Sequence, residues 1–416
     1  MGRFLVMDVV FYGSSLNYDQ GSGNYQELKK ITRWDGRQYT LVSRYALRYS
    51  LLETGRKLGL WDVAEGGKLH RAGSGDNTVI QPATDLLLTG EILLYPEFDL
   101  FGYLITSTTP QNFRSAPAKL SHAVSMTPFN YDVLFNANLG MANRMRKIYG
   151  EMKPNPFTAE EHETFYLYSL VVNIDEVGKV DVFLSKTINE GKNTKTLSKV
   201  NITKNGDDVV FEFIYGKGNK ASTQRFTFEG SKYKDKVKID SITLPLPEEQ
   251  VQIDSELRDI VSCESSLEVA IIRYVLRDKY IRDRITNLVK AVLNLKRSIK
   301  GREEDLRPRL LVLGVYNNKP YQTFKDRIQL LDEYSEEEYD EIEEREENGK
   351  KVVRIKHVVS KSRKPVFQVA GLSDGVNIAE LNESAVLSAV EKLFKDENEF
   401  SEVKVLKDPS VEVRLK

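Results

Sequence analysis

Three apolar runs along the chain predict buried β-strands. They cover residues 4–12, 165–175 and 309–316, and each is rich in aromatic and β-branched side chains. Segments with helical spacing follow the first run and precede the last. Strands this far apart in sequence, combined with these helices, predict an α+β sheet with helices on one face. The order fits a ferredoxin-like core that is broken by long insertions.

A hairpin and a helix follow the first strand. Residues 28–34 and 37–42 flank an Asp-Gly pair, which is typical of a two-residue type I′ turn because both central positions need a positive φ. That turn would place Trp34 opposite Arg37. The helix begins near Val42, and its apolar spacing predicts a buried face. The residues of that face are Val42, Tyr45, Ala46, Tyr49 and Leu52.

The second half of the chain contains several segments of different charge and apolar spacing. Residues 179–238 predict short strands that present lysines. Apolar spacing from residue 255 to about 300 predicts a helix, with or without a break, that carries Cys263 as a small core residue. The acidic run 332–347 predicts a mobile loop or a solvated helix, and residues 352–359 predict a strand.

Composition excludes several classes of protein. The 416 residues include 60 Lys and Arg against 61 Asp and Glu, so a nucleic-acid surface must come from local segregation of charge. A single cysteine excludes an internal disulfide, and four scattered histidines give a zinc site little support. No run is apolar enough to span a membrane, and the first residues lack the form of a signal peptide. We expect two or three domains, no cofactor or metal, and a cytoplasmic location.

Residues 13–57 combine positive charge with aromatic side chains. This stretch holds eight Lys and Arg against four Asp and Glu, with one tryptophan and five tyrosines among them. Such a mixture suits single-stranded nucleic acid, whose phosphates attract cations and whose bases can stack. The alternative is an ordinary basic face in contact with water. The candidate phosphate contacts are Lys29, Lys30, Arg33, Arg37, Ser43, Arg44 and Arg48.

Catalysis has less support in the sequence. Asp19 and His122 lie in polar segments beside basic residues, which is the context that a nuclease would need for acid–base or metal-dependent chemistry. Nothing in their spacing brings them together. The glycines of residues 21–25 lack the GK[ST] sequence of a phosphate-binding loop.

The order of these segments resembles a known family. It is similar to the beginning of the Cas-seven backbone subunits of type I CRISPR Cascade complexes, in the DevR or Cst-like branch of subtype B. The resemblance rests on the loop SSLNYDQGSGNYQELKKI, the DGR turn and the helix start VSRYALRYSLLE. Three later segments fit the same family, namely FDLFGYL, RSAPAKLSHAVSM and LVVNIDEVGKV.

The resemblance implies a modified RNA-recognition-motif palm with finger-like insertions and a projecting thumb. On this basis residues 1–60, 162–178 and 255–416 form the palm core. Residues 61–161 form a finger-like insertion, and residues 179–254 form a basic β-rich insertion that is a candidate thumb.

The resemblance also implies which residues hold RNA. The helix-start motif of the family falls on Ser43, Tyr45 and Arg48, and Tyr45 replaces the usual amide, so stacking would take the place of a hydrogen bond. The family pattern R-S-x-P-x-K-x-S-H adds three residues further along the chain. The predicted RNA-binding set is Asn17, Lys29, Lys30, Arg33, Arg37, Ser43, Arg44, Tyr45, Arg48, Arg114, Lys119 and His122.

By this resemblance we expect a non-enzymatic, multicopy subunit of an antiviral CRISPR ribonucleoprotein. It would grip the backbone of the guide RNA (crRNA) and support guide–target pairing, because base pairing reads sequence while protein reads shape and charge. Its partners would be guide RNA, the target DNA strand, further copies in a helical array, and the large and repeat-end-binding Cascade subunits. One alternative is a metal-dependent endoribonuclease of the same superfamily that uses Asp19. Another is a monomeric single-strand-binding module.

Overall fold

The computed structural model describes residues 2–151, 155–191, 193–347, 350–362, 364–373, 375–395 and 398–416. The chain forms two compact units, and each is assembled from separate segments. The first unit comprises Met1–Leu51, Leu120–Val171 and Val292–Lys416, and the second comprises Leu52–Lys119 and Val172–Ala291. Many strands and few helices confirm the α+β class. The ferredoxin-like arrangement and the palm, finger and thumb boundaries stay predictions.

The main sheet of the first unit is built around the first strand. Arg3–Ser14 pairs antiparallel with Leu310–Asn317 on one side and adjoins Glu163–Asn173 on the other. These are the three predicted buried strands, and they are confirmed. Their continuous apolar sequence reflects burial on both faces of the sheet. The sheet order is Lys30–Thr32, Gln38–Val42, Ala123–Ser125, Glu163–Asn173, Arg3–Ser14, Leu310–Asn317, Phe400–Lys407 and Ile378–Glu380.

Smaller sheets, helices and a 3-10 turn make up the rest of the described part of the first unit. The further strands are Tyr25–Gln26, Val133–Ala137, Pro156–Glu160, Lys296–Ile299, Arg302–Asp305, Ile328–Asp332, Ser335–Glu347, Lys350–Ser362, Val366–Val369 and Glu412–Leu415. The helices are Leu139–Tyr149, Glu383–Lys395, the 3-10 turn Lys325–Arg327 and the first half of Arg44–Lys57. One hydrophobic core cluster of this unit packs the main sheet against residues that follow Leu310–Asn317 in the chain. Phe165 lies on the main sheet, and Phe324 and Phe367 belong to the following residues.

The second unit is mostly β-sheet around its own core. Its strands are Leu69–Ala72, Val79–Pro82, Tyr103–Ile105, Asn112–Arg114, Ala118–Leu120, Lys179–Ser185, Thr187–Glu190, Asn193–Asn205, Asp208–Tyr215, Ser222–Phe228, Val237–Leu244, Val251–Ile253, Val261–Cys263 and Val269–Leu276. Its helices are Thr84–Leu88, Pro96–Phe101, Gly230–Tyr233 and most of Asp278–Leu293. Its 3-10 turns are Gly66–Lys68, Gly75–Asn77, Glu91–Leu94, Ile174–Glu176, Gly218–Lys220, Glu248–Gln250 and Ser255–Ile260.

The helix predicted from residue 255 to about 300 is wrong over its first half. Val261–Cys263 and Val269–Leu276 are strands, and the helix covers only Asp278–Leu293. The apolar residues of Val269–Leu276 satisfy helical spacing, but most are β-branched and pair with a strand on each side. Cys263 therefore lies on a strand rather than a helix.

The acidic run forms a strand, so the prediction of a loop or a helix is wrong. Ser335–Glu347 pairs antiparallel along its whole length with Lys350–Ser362, and we call this pair the ribbon. The register places acidic residues opposite basic ones, for example Glu341 opposite Lys356. Opposite charges across a strand pair offset the repulsion within an acidic strand. The strand predicted at residues 352–359 is confirmed.

The turn of the first hairpin differs from the predicted type. Gly36 has a φ of 74°, whereas Asp35 does not adopt a positive φ. The N–H of Arg33 donates to the carbonyl of Arg37 at 3.0 Å, so three residues form the loop. Arg33 and not Trp34 therefore lies opposite Arg37. A type I turn followed by a left-handed glycine gives this geometry.

The buried face of the helix Arg44–Lys57 is also different from the prediction. Tyr45 and Tyr49 are 60% and 64% exposed. The buried side chains of this helix are Leu47, Ser50, Leu51, Leu52 and Thr54. The polar Ser50 can be buried because its hydroxyl accepts a hydrogen bond from Arg297 at 3.0 Å.

Candidate nucleic-acid interface

The helix that begins at Arg44 has its N-terminus held by two other segments of the first unit. The side-chain oxygen of Asn17 accepts from the N–H of Ser43 at 2.9 Å, and the hydroxyl of Ser43 accepts from the N–H of Ala46 at 3.2 Å. His122 accepts through Nδ1 from the N–H of Arg44 at 2.9 Å. These contacts satisfy N–H groups that a helix start leaves without partners. The structure thus brings together four of the residues predicted to bind RNA, namely Asn17, Ser43, Arg44 and His122. The contacts that they make here organise the helix start, and their binding of RNA stays a prediction.

A lysine that the sequence analysis missed completes this arrangement. Lys325 donates from Nζ to the Ser121 hydroxyl at 3.0 Å and to the His122 carbonyl at 3.2 Å. Burial lowers the pKa of Lys325, and the charge of Arg33 lowers it further. Burial also lowers the pKa of His122, so its ring is neutral at pH 7. Because Lys325 lies far along the chain from His122, no local sequence pattern could have found it.

Two arginines flank an exposed tyrosine on the first turns of the helix. The guanidinium of Arg44 lies 5.1 Å from the ring centre of Tyr45, and that of Arg48 lies 5.8 Å from it. Arg44 also donates to the Tyr45 hydroxyl at 3.2 Å, and this hydrogen bond lowers the pKa of Tyr45. Stacked guanidinium groups keep their charge and most of their N–H donors. The pair therefore places two positive charges at the positive end of the helix dipole.

The hairpin adds further positive charge. Arg33 and Arg37 are exposed at its end, and Arg33 lies 5.2 Å from the ring centre of Tyr39. Lys29, at the base of the hairpin, forms an exposed ion pair with Asp19 at 3.0 Å. The hydrogen bond from Lys29 lowers the pKa of Asp19, so this loop aspartate is ionised at neutral pH.

Lys30 has a different environment from its neighbour Lys29. Its Nζ lies 2.6 Å and 2.7 Å from the two carboxylate oxygens of Glu160, whose side chain is 3% exposed. It also lies 4.8 Å from the ring centre of Phe129. Its charge is therefore already neutralised within the first unit.

Arg114 and Lys119 belong to the second unit by the contacts of their segment. Arg114 donates to the buried Asp99 at 2.7 Å and to the Glu176 carbonyl at 2.7 Å, and Arg284 donates to the same Asp99 at 2.8 Å. Arg114 is thus part of a buried network, whereas Lys119 is exposed. A role for either residue in RNA binding stays a prediction.

Two further findings concern the described part of the chain. Among those residues, no three His, Cys, Asp or Glu side chains form a group that could hold a metal ion. Among the same residues, no helix is both long and apolar enough to cross a membrane.

Comparisons with known proteins place the sequence in a family. Residues 5–339 match the family model described as CRISPR-associated negative auto-regulator DevR/Csa2. A search of curated proteins finds no significant match. Similar solved structures include a chain of a "CRISPR RNA-guided surveillance complex, pre-nicking", with 12% identity and a TM-score of 0.35 over 77% of this chain and 80% of that one.

Two other solved structures have lower scores. A chain of a "CRISPR RNA-guided surveillance complex" has 11% identity and a TM-score of 0.32 over 78% of this chain and 73% of that one. A chain of a "Type IV-B CRISPR Complex" has 12% identity and a TM-score of 0.24 over 41% and 71%. Scores of this size carry no argument about function. The family model, however, spans most of the sequence and includes the loop, hairpin and helix of the candidate site, so the chain belongs to the CRISPR-associated DevR/Csa2 family.

Proposed function

We propose that this protein is a guide-RNA-binding subunit of a type I, subtype B CRISPR surveillance complex. The observation that carries the proposal is the group of Arg44, Tyr45 and Arg48 at an ordered helix start, in a chain of this family. Two stacked guanidinium groups at a helix N-terminus can each bind a phosphate through paired N–H donors. Exposed Arg33 and Arg37 extend the same charge along the hairpin.

Contacts of this kind hold a strand by its backbone. They carry no sequence information, and they leave the base edges free to pair with the target DNA strand. A protein that binds every guide alike can be repeated along one RNA. We propose that copies associate head to tail, which generates a helical array, alongside the other Cascade subunits in the cytoplasm. Antiviral defence is the role that such a complex would serve.

Replacing both arginines of the helix start tests the proposal. We expect Arg44→Ala with Arg48→Ala to weaken binding of single-stranded RNA about tenfold at 150 mM salt, because two phosphate contacts are lost. The slope of log K against log salt should fall by about 1.4, at about 0.7 for each contact. Fluorescence anisotropy with two labelled RNAs of unrelated sequence measures both quantities.

Arg258→Ala is the matched control, because it removes an exposed arginine of the second unit. It should leave affinity and slope unchanged. A loss that depends on the RNA sequence, or an unchanged slope in the double variant, would show that these arginines do not contact phosphate. Thermal unfolding of each variant confirms that the fold is intact.

We further propose that the protein binds RNA without cleaving it. Asp19 is the loop aspartate that the endoribonuclease alternative would use. It is paired with Lys29 and also accepts from the N–H of Gln20 at 2.9 Å. Incubation of the assembled complex with complementary RNA and Mg²⁺ should therefore leave the RNA intact. Regularly spaced cuts that disappear in Asp19→Ala would establish the endoribonuclease alternative instead.

A further inference from the structure

The most exposed aromatic side chain of the candidate site is Trp34, at the tip of the first hairpin. It is 96% exposed. The turn does not require it, because the first central position of a type I turn accepts most residues and only Gly36 needs a positive φ. An indole that packs against nothing in its own unit has both faces free to contact a ligand.

Trp34 stands at the edge of a cavity of about 430 Å³ in the first unit. That volume lies in the range that accommodates small ligands. Its lining includes the apolar side chains of Met126, Leu167, Ile328 and Leu330. Polar and charged side chains line the same cavity, so its surface is amphipathic, with the exposed ring of Trp34 at its edge.

Charge at the cavity is positive on balance. Arg33 and Lys325 line it together with a single carboxylate, that of Asp326. Two cations that line one cavity repel each other, and the charge of Arg33 adds to the lowering of the pKa of Lys325 that burial causes. An anionic group bound between them would relieve the repulsion.

The same lysine connects the cavity to the candidate interface. Lys325 donates to the carbonyl of His122, whose ring accepts from the N–H of Arg44. Two hydrogen bonds through His122 therefore link a residue that lines the cavity to the helix start that carries Arg44 and Arg48. A planar ring joined to a phosphate is the chemistry that fits an exposed aromatic ring, apolar lining side chains and two cations.

We propose that this cavity is a binding pocket for one unstacked nucleobase of a single-stranded nucleic acid, which stacks on Trp34 while Arg33 and Lys325 hold its phosphate. This inference rests on the proposed function for the presence of the strand. It adds a contact with a base to an interface that otherwise holds only the backbone. The base can belong to the guide RNA or to the target DNA, because both present the same aromatic ring.

Tryptophan fluorescence gives a direct test, because the chain has only two tryptophans. The other, Trp61, is partly buried and donates to the Leu52 carbonyl at 3.0 Å, so Trp61→Phe leaves Trp34 as the single reporter. Three strands of twelve units serve as probes: oligouridylate, oligothymidylate and a base-free ribose-phosphate chain. We expect the strands with bases to quench the emission of Trp34 and the base-free strand to bind without quenching it.

Affinity provides the second measurement. We expect Trp34→Ala to weaken binding of oligouridylate about tenfold, as expected for one stacked base, and to leave binding of the base-free strand unchanged. Trp34→Phe should retain most of the affinity. Phe113→Ala is the matched control, since Phe113 is 62% exposed in the second unit. Quenching by RNA alone assigns the base to the guide, and quenching by DNA alone assigns it to the target.

Several results would overturn the proposal. One is binding of oligouridylate and oligothymidylate with unchanged emission, and another is equal quenching by the base-free strand; both would leave the proposed function standing. Quenching by oligoglutamate but by neither strand would identify a protein ligand instead. If RNA fails to bind while DNA quenches, the proposed function fails and the pocket remains. If neither strand binds, both proposals fail.

Discussion

One buried carboxylate of the first unit titrates unusually close to neutral pH. Asp8 lies on the central strand of the main sheet and is fully buried. It accepts hydrogen bonds from the Ser169 hydroxyl and, at 2.6 Å, from the N–H of Phe324. Burial raises its pKa to about 6, although these donors and the charge of Lys325 oppose the rise, while Asp326 adds to it.

This pKa predicts the direction in which stability changes with pH. Because the folded state binds the proton of Asp8 more tightly than the unfolded chain does, ionisation of Asp8 costs stability above pH 6. That cost should diminish as the pH falls through 6, a gain of about 2 kcal/mol in the free energy of unfolding between pH 7.5 and 4.5. The measurement is urea unfolding of the natural protein and of Asp8→Asn between pH 7.5 and 4.5.

The comparison with Asp8→Asn removes the contributions of all other titrating groups. The difference in unfolding free energy, natural protein minus variant, should rise on acidification. A difference that stays constant with pH would show that Asp8 has an ordinary pKa in the folded protein. Asp8 also accepts a hydrogen bond from the N–H of Phe324, which precedes Lys325. Measuring RNA affinity over the same pH range shows whether ionisation of Asp8 also changes RNA binding.

Single residues of the site were predictable where the signal was local. Ser43 precedes a helix and caps it, and the sequence shows two arginines four residues apart on that helix, Arg44 and Arg48. The exposure of Trp34 was not predictable, because an apolar ring in a strand pattern normally packs. The partners of Lys30 and His122 come from distant segments, so their roles needed the fold.

At the scale of elements, Lys30 joins the first hairpin to a different sheet. Its partner Glu160 ends the strand Pro156–Glu160 and also accepts from the N–H of Leu28 at 2.7 Å and from the Tyr25 hydroxyl at 3.1 Å. One carboxylate therefore fixes the hairpin at its base. Removing the lysine would leave this buried carboxylate without its counter-ion.

Adjacent lysines allow a matched test of that role. Lys30→Ala should lower the free energy of unfolding by about 3 kcal/mol, because it leaves a buried charge unpaired. Lys29→Ala should change stability little, since its ion pair with Asp19 is exposed. Urea unfolding at pH 7 measures both. If the two variants are equally stable, Glu160 has found another partner and Lys30 does not anchor the hairpin.

Elements whose sequence fits one kind of secondary structure were predictable, and elements whose sequence fits two kinds were not. The three buried strands of the main sheet have continuous apolar sequences that fit nothing else. Val269–Leu276 has apolar spacing that suits both a helix and a strand, and tertiary pairing decided between them. The ribbon consists of an acidic strand and a basic strand of equal length. The sequence of each strand alone suggests a solvated segment, and only their pairing shows that they form a ribbon.

At the scale of the whole molecule, near-zero net charge conceals two opposed features. The stretch 13–57 is basic, whereas nine of the thirteen residues of Ser335–Glu347 are acidic. Global charge therefore says nothing about affinity for a polyanion, and only the positions of the charges do. The sequence showed both runs, and the structure adds that the acidic one is paired with a basic strand.

The discontinuous units have a consequence for the time course of synthesis. The first strand, Arg3–Ser14, is synthesised about 300 residues before its partner Leu310–Asn317. At about 5 to 20 residues per second, the apolar edge of the first strand stays unpaired for roughly 15 to 60 s. The main sheet thus cannot close until Leu310–Asn317 has been made, so the nascent chain depends on protection of that edge during this interval.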